Sequence, residues 1–429
     1  MATVSPNDHV VNSSSSSSSE NGQSEYRIIE VDTSSQPDVP RVLVSWENIN
    51  YSVETKKGEE KILKDLSGFA NPGEILAIMG SSGAGKTSLL NILAGRTTSS
   101  SYQSVNGSIY ANGVPTNQVP FGDFSAYVTQ QDILLPVLTP QEAITFSAKL
   151  RCKESNVSEK VQRILSDLKL ERIAHNKIGS VEQKGISGGE RKRVCIAVEL
   201  VSDPSVLFLD EPTSGLDAYT AEILFKLLIK QARKGRTIIT TIHQPSSGMF
   251  EKFQRLVLMS EGSIIYQGNA NESVEYFSSL GYPCPAEINP ADYFMKMLHV
   301  VNRYEPTPEE SEKLQKISSY YKSQESKVYQ AKKTEDLTDM QTLKTQQSKG
   351  LLMQTKELLI RAFRNASRNP ALSVVKIMQS IAIAILIDLI FFDLDTDLEG
   401  VQSRSGLLFF IIISQGNFGS QNSTLACKF

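Results

Sequence analysis

Residues 80–87 read Gly80-Ser81-Ser82-Gly83-Ala84-Gly85-Lys86-Thr87, which is the spacing G-x-x-x-x-G-K-[ST] of a phosphate-binding loop. An apolar run from Glu74 to Met79 precedes the stretch, and a helical pattern begins at Ser88. This strand–loop–helix setting lets backbone N–H groups and a helix N-terminus surround a polyphosphate. We expect residues 80–88 to bind a nucleoside triphosphate, with Lys86 at the outer phosphates and Thr87 on the magnesium ion.

A second apolar run ends in two carboxylates. Residues 206–209 read Val-Leu-Phe-Leu, and Asp210 and Glu211 follow directly. In a chain with a phosphate loop, this arrangement places one acid near magnesium and the next near the attacking water. We expect Asp210 to hold the metal and Glu211 to act as the base.

A Ser-Gly-Gly turn precedes another helical pattern. The stretch is Ser187-Gly188-Gly189-Glu190, upstream of the acidic pair. Such a turn exposes backbone donors at a helix start, so it is a candidate second phosphate-binding element. A Ser-Gly-Gly triplet taken alone is usually only a turn.

Charge and cysteine usage limit the class of protein. The chain has 44 basic and 47 acidic residues and a net charge of −3, so no nucleic-acid partner is expected. Four cysteines are scattered without metal-ligand or disulfide spacing, which is typical of reduced thiols in the cytosol: Cys152, Cys195, Cys284 and Cys427. The chain opens without a signal peptide, and its Ser-rich tail over residues 1–40 is expected to be disordered.

The remaining chain divides into four parts. Strand-like and helical patterns alternate over residues 41–300, which predicts an α/β nucleotide-binding domain with a mixed sheet and a helical subdomain. Residues 301–350 are rich in Lys, Glu, Gln and Ser and predict a linker. Residues 351–369 predict an amphipathic connecting helix, and residues 370–429 predict an all-α transmembrane region.

The connecting helix has two distinct faces. Its apolar face contains Leu351, Leu352, Leu358, Leu359, Ala362 and Phe363. The opposite face contains Lys356, Glu357, Arg361 and Arg364. A helix of this kind is expected to lie on a membrane surface or on a partner.

The segment from Ala371 to Phe392 is long enough to cross a bilayer, since about 20 apolar residues suffice. Asp388, inside the segment, would cost about 2.5–3.5 kcal/mol at a bilayer centre. Arginines precede the segment and acidic residues follow it, so the positive-inside tendency keeps the nucleotide domain in the cytosol. A buried core helix is the alternative. Residues 406–413 form a second apolar run that is too short to span.

The order of the motifs resembles that of ATP-binding-cassette (ABC) ATPases. Between the phosphate loop and the Ser-Gly-Gly turn lies Tyr127-Val128-Thr129-Gln130, which resembles their Q-loop. After the acidic pair come Ser214-Gly215-Leu216-Asp217 and His243, similar to their D-loop and switch histidine. Glu190 followed by Arg-Lys-Arg, and His243 followed by Gln-Pro-Ser, resemble the G subfamily of half-transporters.

The resemblance implies roles for these residues. In this family ATP lies between two nucleotide domains, so a second half-transporter subunit completes each site. Ser187 and Gly189, within residues 187–190, would contact ATP held by the partner, and Asp217 would lie at the same interface. Gln130 would contact the metal and signal toward the membrane part, and His243 would hold the γ-phosphate and the attacking geometry. Tyr51 would stack on adenine, with core or cross-strand packing as the alternative. Electrostatic positioning of this kind supplies most of the rate enhancement in phosphoryl transfer.

Family members continue through a full set of transmembrane helices, whereas this sequence diverges after about Gly416. We therefore expect a truncated membrane region with one span and a partial second. The leading hypothesis is an ATPase subunit that couples ATP-driven dimerisation to export of a hydrophobic substrate. The alternative is a non-transporting protein that binds ATP and interferes with complete partners. Soluble cassette proteins of translation or DNA repair are excluded by the segment 351–392.

Overall fold

The computed structural model describes residues 39–56, 58–152, 156–180, 184–299, 307–330, 350–368, 370–390 and 405–412. The strands are β1 (Val44–Thr55), β2 (Gly58–Ala70), β3 (Ile75–Gly80), β4 (Gln103–Ala111), β5 (Val114–Pro115), β6 (Ser125–Val128), β7 (Val206–Leu209), β8 (Thr237–Thr241), β9 (Arg255–Ser260) and β10 (Ser263–Asn269). The helices are α1 (Lys86–Leu93), α2 (Phe121–Phe124), α3 (Pro140–Arg151), α4 (Val157–Asp167), α5 (Gly188–Leu200), α6 (Ala218–Arg233), α7 (Ser247–Phe250), α8 (Ser273–Ser279), α9 (Pro290–Leu298), α10 (Pro308–Gln330), α11 (Leu351–Arg368) and α12 (Pro370–Ile390). Nearly all of the predicted tail and much of the predicted membrane region lie outside the described residues.

A mixed sheet forms the centre of the nucleotide domain. Its strand order is β10-β9-β3-β8-β7-β6, with β10 antiparallel to β9 and the other neighbours parallel. Every residue of β3, β7 and β8 is buried, as expected for parallel strands covered on both faces. The carboxyl ends of β3, β6, β7 and β8 therefore meet at one edge, where an α/β sheet carries its ligands.

A smaller antiparallel sheet packs against the first helix. Its order is β2-β1-β4-β5, and its inner face presents Trp46 and Leu63 to a core shared with Leu89 and Leu90 of α1. The burial of these large side chains fixes the sheet beside the start of α1. One wall of the phosphate loop therefore comes from this sheet.

Helices α3, α4 and α5 form the predicted helical subdomain. Ile144, Leu165 and Val194 are buried in its core. Helices α3 and α5 each begin with a capping box, in which Thr139 pairs with Glu142 and Ser187 pairs with Glu190. These reciprocal hydrogen bonds satisfy N–H groups that have no partner inside the helix.

Part of the predicted linker packs on the nucleotide domain. Helix α10 lies within residues 301–350, and its Ile317 and Tyr321 are buried in the two cores. A segment with few aliphatic residues thus docks through two buried side chains one turn apart, and Tyr320 beside them packs on Tyr276 of α8 with ring centroids 5.6 Å apart. The packed domain extends beyond the expected boundary at residue 300.

The charged face of α11 contacts the nucleotide domain. Glu357 is buried and pairs with Lys149 of α3 at 3.2 Å, and both guanidinium nitrogens of Arg368 donate to Glu142, at 2.6 and 2.8 Å. Those hydrogen bonds to Arg368 hold the pKa of Glu142 below its usual value. Leu352 and Phe363, on the apolar face, are 88% and 75% exposed. The helix thus presents its apolar face away from the domain.

The segment predicted to span a membrane overlaps α12. Within the described residues, none of the helices meets the combined requirement of length and apolar content for a membrane crossing.

Candidate nucleotide site

The phosphate loop closes around its own lysine. Lys86 is the first residue of α1, and its Nζ donates to the carbonyl oxygens of Gly80 at 2.9 Å and Ser81 at 3.0 Å. Only 6% of Lys86 is exposed. Burial lowers the pKa of Lys86, and the negative charges of Glu211 and Asp210 oppose that shift. A phosphate arriving at the loop would meet a positive charge that is already poorly hydrated.

Gly85 is required by the shape of the loop. It caps α1 with φ of +95°, a left-handed conformation that side chains disfavour. A Cβ atom placed there would lie 2.5 Å from Cδ2 of Leu63 on β2. The small sheet therefore presses against the loop at the point where the helix begins.

Asp210 is held by three hydroxyl groups. It follows β7, and its Oδ1 accepts from Thr87 Oγ1 at 3.0 Å and from Thr241 Oγ1 at 2.8 Å. Tyr127 OH donates to the other carboxylate oxygen at 3.4 Å. The structure thus brings together Thr87 and Asp210, the two oxygen-bearing residues expected to hold magnesium.

Glu211 faces the glutamine predicted to act with it. Gln130 Nε2 donates to Glu211 Oε2 at 2.8 Å, which joins the loop after β6 to the loop after β7. Glu211 has φ of +43°, which is uncommon for a non-glycine residue. Its backbone N–H donates to Thr241 Oγ1 at 2.8 Å and holds that turn. No hydrogen bond in the described chain joins Gln130 to Thr87 or Asp210.

Sequence reasoning missed Thr241 and Tyr127 as site residues. Thr241 is fully buried at the end of β8, and its single hydroxyl contacts both Asp210 and the backbone of Glu211. A buried hydroxyl beside two apolar strands is the signal that could have found it. Burial and the charge of Asp210 raise the pKa of Tyr127, so its hydroxyl stays a donor.

Replacing Thr241 with valine is expected to lower kcat for nucleotide hydrolysis about tenfold, because both acidic residues lose a positioning hydrogen bond. The measurement is phosphate release as a function of Mg²⁺ concentration, and the apparent Mg²⁺ requirement should rise. Thr240→Val is the matched control, since Thr240 is equally buried and its hydroxyl contacts only a backbone carbonyl. Equal effects of the two variants would contradict the role of Thr241.

The Ser-Gly-Gly turn faces outward. Ser187 caps α5 and is exposed, and its backbone N–H donates to Glu190 Oε2 at 2.9 Å. A Cβ atom at Gly189 would collide with the methyl group of Thr220 on α6, so the close approach of α5 and α6 requires glycine. Among the described contacts, no hydrogen bond or ion pair joins Ser187 to the phosphate loop of its own chain.

The remaining predicted residues lie at the edges of this arrangement. His243 is exposed two residues after β8, at the same sheet edge as Glu211. Asp217 is exposed and caps α6 by accepting from the Thr220 backbone at 2.9 Å. Tyr51 pairs across the sheet with Leu63, which abuts Gly85, and its hydroxyl donates to Gln103 at 3.1 Å.

Comparison with known proteins agrees with this geometry. A family model described as ABC transporter matches residues 63–214, and two models described as ABC-2 type transporter match residues 243–382 and 353–426. The mouse broad substrate specificity ATP-binding cassette transporter ABCG2 is 36% identical over 412 residues, covering 87% of this chain and 61% of the mouse protein.

Two further relatives show the same pattern. Protein white of Drosophila melanogaster is 38% identical over 365 residues, covering 82% of this chain and 52% of that protein. Human ATP-binding cassette sub-family G member 5 is 36% identical over 362 residues, covering 81% of this chain and 55% of that protein. The chain thus spans 52–61% of the length of these three relatives.

The mixed sheet, the phosphate loop and the ordered motifs define the ATP-binding domain of an ABC protein, a class of ATPases. The chain belongs to the ABC transporters, in their G subfamily. The predicted family, fold class and nucleotide are confirmed. The individual site residues remain predictions.

Proposed function

We propose that the chain is the ATP-hydrolysing subunit of a G-subfamily half-transporter, in which two nucleotide domains close on ATP and drive export of a hydrophobic substrate. The observation that carries the proposal is the hydrogen-bonded network at one sheet edge. It links Thr87, Asp210 and Thr241, and links Gln130 with Glu211. These groups come from the start of α1, the ends of β7 and β8 and the loop after β6, so the fold assembles them beside the phosphate loop.

The residues at this edge fit a magnesium ion. Hydroxyl and carboxylate oxygens are the ligands that Mg²⁺ prefers, and Thr87 Oγ1 lies 3.0 Å from Asp210 Oδ1. We infer that these two residues hold Mg²⁺, which neutralises phosphate charge when bound. The hydrogen bond from Thr241 aims Asp210, and the charge of Lys86 holds the outer phosphates.

Glu211 has the surroundings of a base that orients water. Its carboxylate accepts from the Gln130 amide, which holds one oxygen and leaves the other able to accept from water. Water that gives a proton to Glu211 attacks the γ-phosphorus, the bond from the γ-phosphorus to the bridging oxygen breaks, that oxygen leaves with ADP, and phosphate is released. His243 and Gln130 are proposed to orient the γ-phosphate and the water during this step.

A second subunit is proposed to complete each site. Ser187 is exposed at the start of α5 and contacts neither Lys86 nor Asp210 in the described chain. Its backbone N–H and hydroxyl both donate to Glu190 at 2.9 Å, so ATP on another copy or on a related subunit would take over these donors beside Gly188 and Gly189 at the helix start. Asp217 would lie at the same interface, and Tyr51 would stack on adenine.

Helix α11 and the matches to ABC-2 type transporter models support a membrane location. The charged face of α11 contacts α3, while Leu352 and Phe363 point away from the nucleotide domain. That exposed face suits a lipid surface. We propose a membrane location with the nucleotide domain in the cytosol. The matches to ABC-2 models favour a transporter over the interfering regulator.

The test is Mg²⁺-dependent phosphate release by the protein purified from membranes and placed in lipid vesicles. We expect hydrolysis of ATP that stops when EDTA is added and returns when excess Mg²⁺ is restored. ATP binding without any hydrolysis in vesicles would contradict the proposal and leave a binding protein.

A further inference from the structure

Lys192 is a buried lysine that has no role in the hydrolysis step proposed above. It lies on α5, and only 3% of its side chain is exposed. Its Nζ donates to the carbonyl oxygen of Gln130 at 2.7 Å and pairs with Asp132 Oδ1 at 2.6 Å. A buried ammonium group is costly unless it is paired, so these two partners hold the loop after β6 tightly against α5.

The same helix begins at the surface proposed to meet the second subunit. Ser187 caps α5, and Lys192 follows five residues later, about 7.5 Å along the helix axis. Beyond Lys192, the side chain of Gln130 donates to Glu211 at 2.8 Å. One continuous path therefore runs from the exposed Ser187 through α5 and Lys192 to the proposed base.

We propose that Lys192 is a positioning residue that couples the two ATP sites of the dimer. The inference rests on the proposed function, because it requires Ser187 to engage ATP on the other subunit. That engagement fixes α5, and Lys192 passes its position to the main chain of Gln130. Each subunit thereby places its own Gln130 and Glu211 for hydrolysis when it has bound the ATP of its partner.

The proposed path predicts separate effects of Lys192 on ATP binding and on hydrolysis. The phosphate loop is built by Lys86 and its own carbonyl contacts, which Lys192 does not touch among the described hydrogen bonds. Loss of the Lys192 ammonium should therefore leave ATP binding intact while hydrolysis slows. It should also remove the dependence of one site on the other.

A purely structural lysine provides the comparison. Lys160 on α4 has a side chain that is 8% exposed and pairs with Asp203 at 2.8 Å. Neither residue belongs to the nucleotide site. Lys160→Met thus reproduces the loss of a buried ion pair without touching the path from Ser187 to Glu211.

The experiment measures phosphate release against ATP concentration for the protein in lipid vesicles, as wild type and as Lys192→Met, Lys192→Arg and Lys160→Met. Binding of a fluorescent ATP analogue and thermal unfolding are recorded in parallel. For Lys192→Met we expect analogue binding within about twofold of wild type, kcat about tenfold lower, and a Hill coefficient reduced to 1. Lys192→Arg, which keeps the charge, should restore the Hill coefficient.

Three results would overturn the coupling role. They are a Lys192→Met variant with wild-type kcat and Hill coefficient, an equal loss of kcat in Lys160→Met, and a wild-type Hill coefficient of 1. Each can arise only if the wild type hydrolyses ATP. Failure of the proposed function would instead appear as a wild type without hydrolysis.

Discussion

Glu211→Gln is expected to bind ATP with unchanged affinity and to lose turnover by about 100- to 10,000-fold, the range for removal of a general base. Glutamine has nearly the same shape, and its oxygen can still accept from Gln130 Nε2, which lies 2.8 Å from the carboxylate. The amide cannot take a proton from water, so only the chemical step should suffer. Single-turnover phosphate release and binding of a fluorescent ATP analogue separate the two effects.

The control for this prediction is Glu199→Gln. Glu199 lies on α5, and its carboxylate pairs with Arg151 at a distance of 2.6 Å. This ion pair is not part of the phosphate loop. The rate of ATP hydrolysis by Glu199→Gln should stay within about twofold of the wild-type rate. Undiminished turnover in Glu211→Gln would remove Glu211 from the role of base.

Lys86→Met is expected to weaken ATP binding about 100-fold, because truncation of one partner in a buried charged hydrogen bond costs about 2–5 kcal/mol. Methionine keeps most of the apolar stem, so the core beside α1 should stay filled. The measurement is the Kd of a fluorescent ATP analogue with Mg²⁺ present. Lys160→Met serves as control and should bind ATP normally, since Lys160 lies on α4 and pairs with Asp203 rather than with the phosphate loop.

The wild-type Kd should also depend on pH in a direction set by Lys86. Burial lowers the pKa of Lys86, so the lysine loses its proton at a lower pH than an exposed lysine does. Phosphate binds the charged form better, and affinity should therefore fall as pH rises through that lowered pKa. Lys86→Met should lack this alkaline decline. A variant that bound ATP as tightly as wild type at neutral pH would contradict the role of Lys86.

The sequence predicted which loops meet at the sheet edge, because the motifs that mark those loops are short and local. Residues 80–87 and the apolar run before Asp210 each mark a strand end, and parallel strands bring such ends together. Thr241 and Lys192 could not be identified as site residues from the sequence, because their contact partners are distant in the chain. Thr241, at the end of β8, contacts Asp210 after the neighbouring strand β7. Lys192, on α5, donates to the backbone of Gln130 in the loop after β6. No short pattern records those pairings.

Helix α11 shows a second limit of sequence reasoning. Its spacing defines a charged and an apolar face, but it does not say which face meets protein. The structure turns the charged face inward, where Glu357 pairs with Lys149 and Arg368 pairs with Glu142. Similarly, the composition of residues 301–350 predicts a linker, whereas Ile317 and Tyr321 of α10 are buried against the nucleotide domain.

Two nucleotide domains are proposed to build each ATP site, and mixed dimers of two variants test this composite site most directly. Lys86→Met disables a subunit's own site, whereas Ser187→Asp still caps α5 but sets a negative charge against the partner's ATP. Each variant alone should be inactive as a homodimer. Co-expressed with two different tags and purified on both, the pair contains one site with wild-type Lys86 and wild-type Ser187. We predict that these mixed dimers hydrolyse ATP faster than either homodimer but at well under half the wild-type rate, because the intact site lies on the Ser187→Asp subunit and lacks the proposed coupling through Lys192. A rate no higher than the mean of the two homodimers would contradict the composite site.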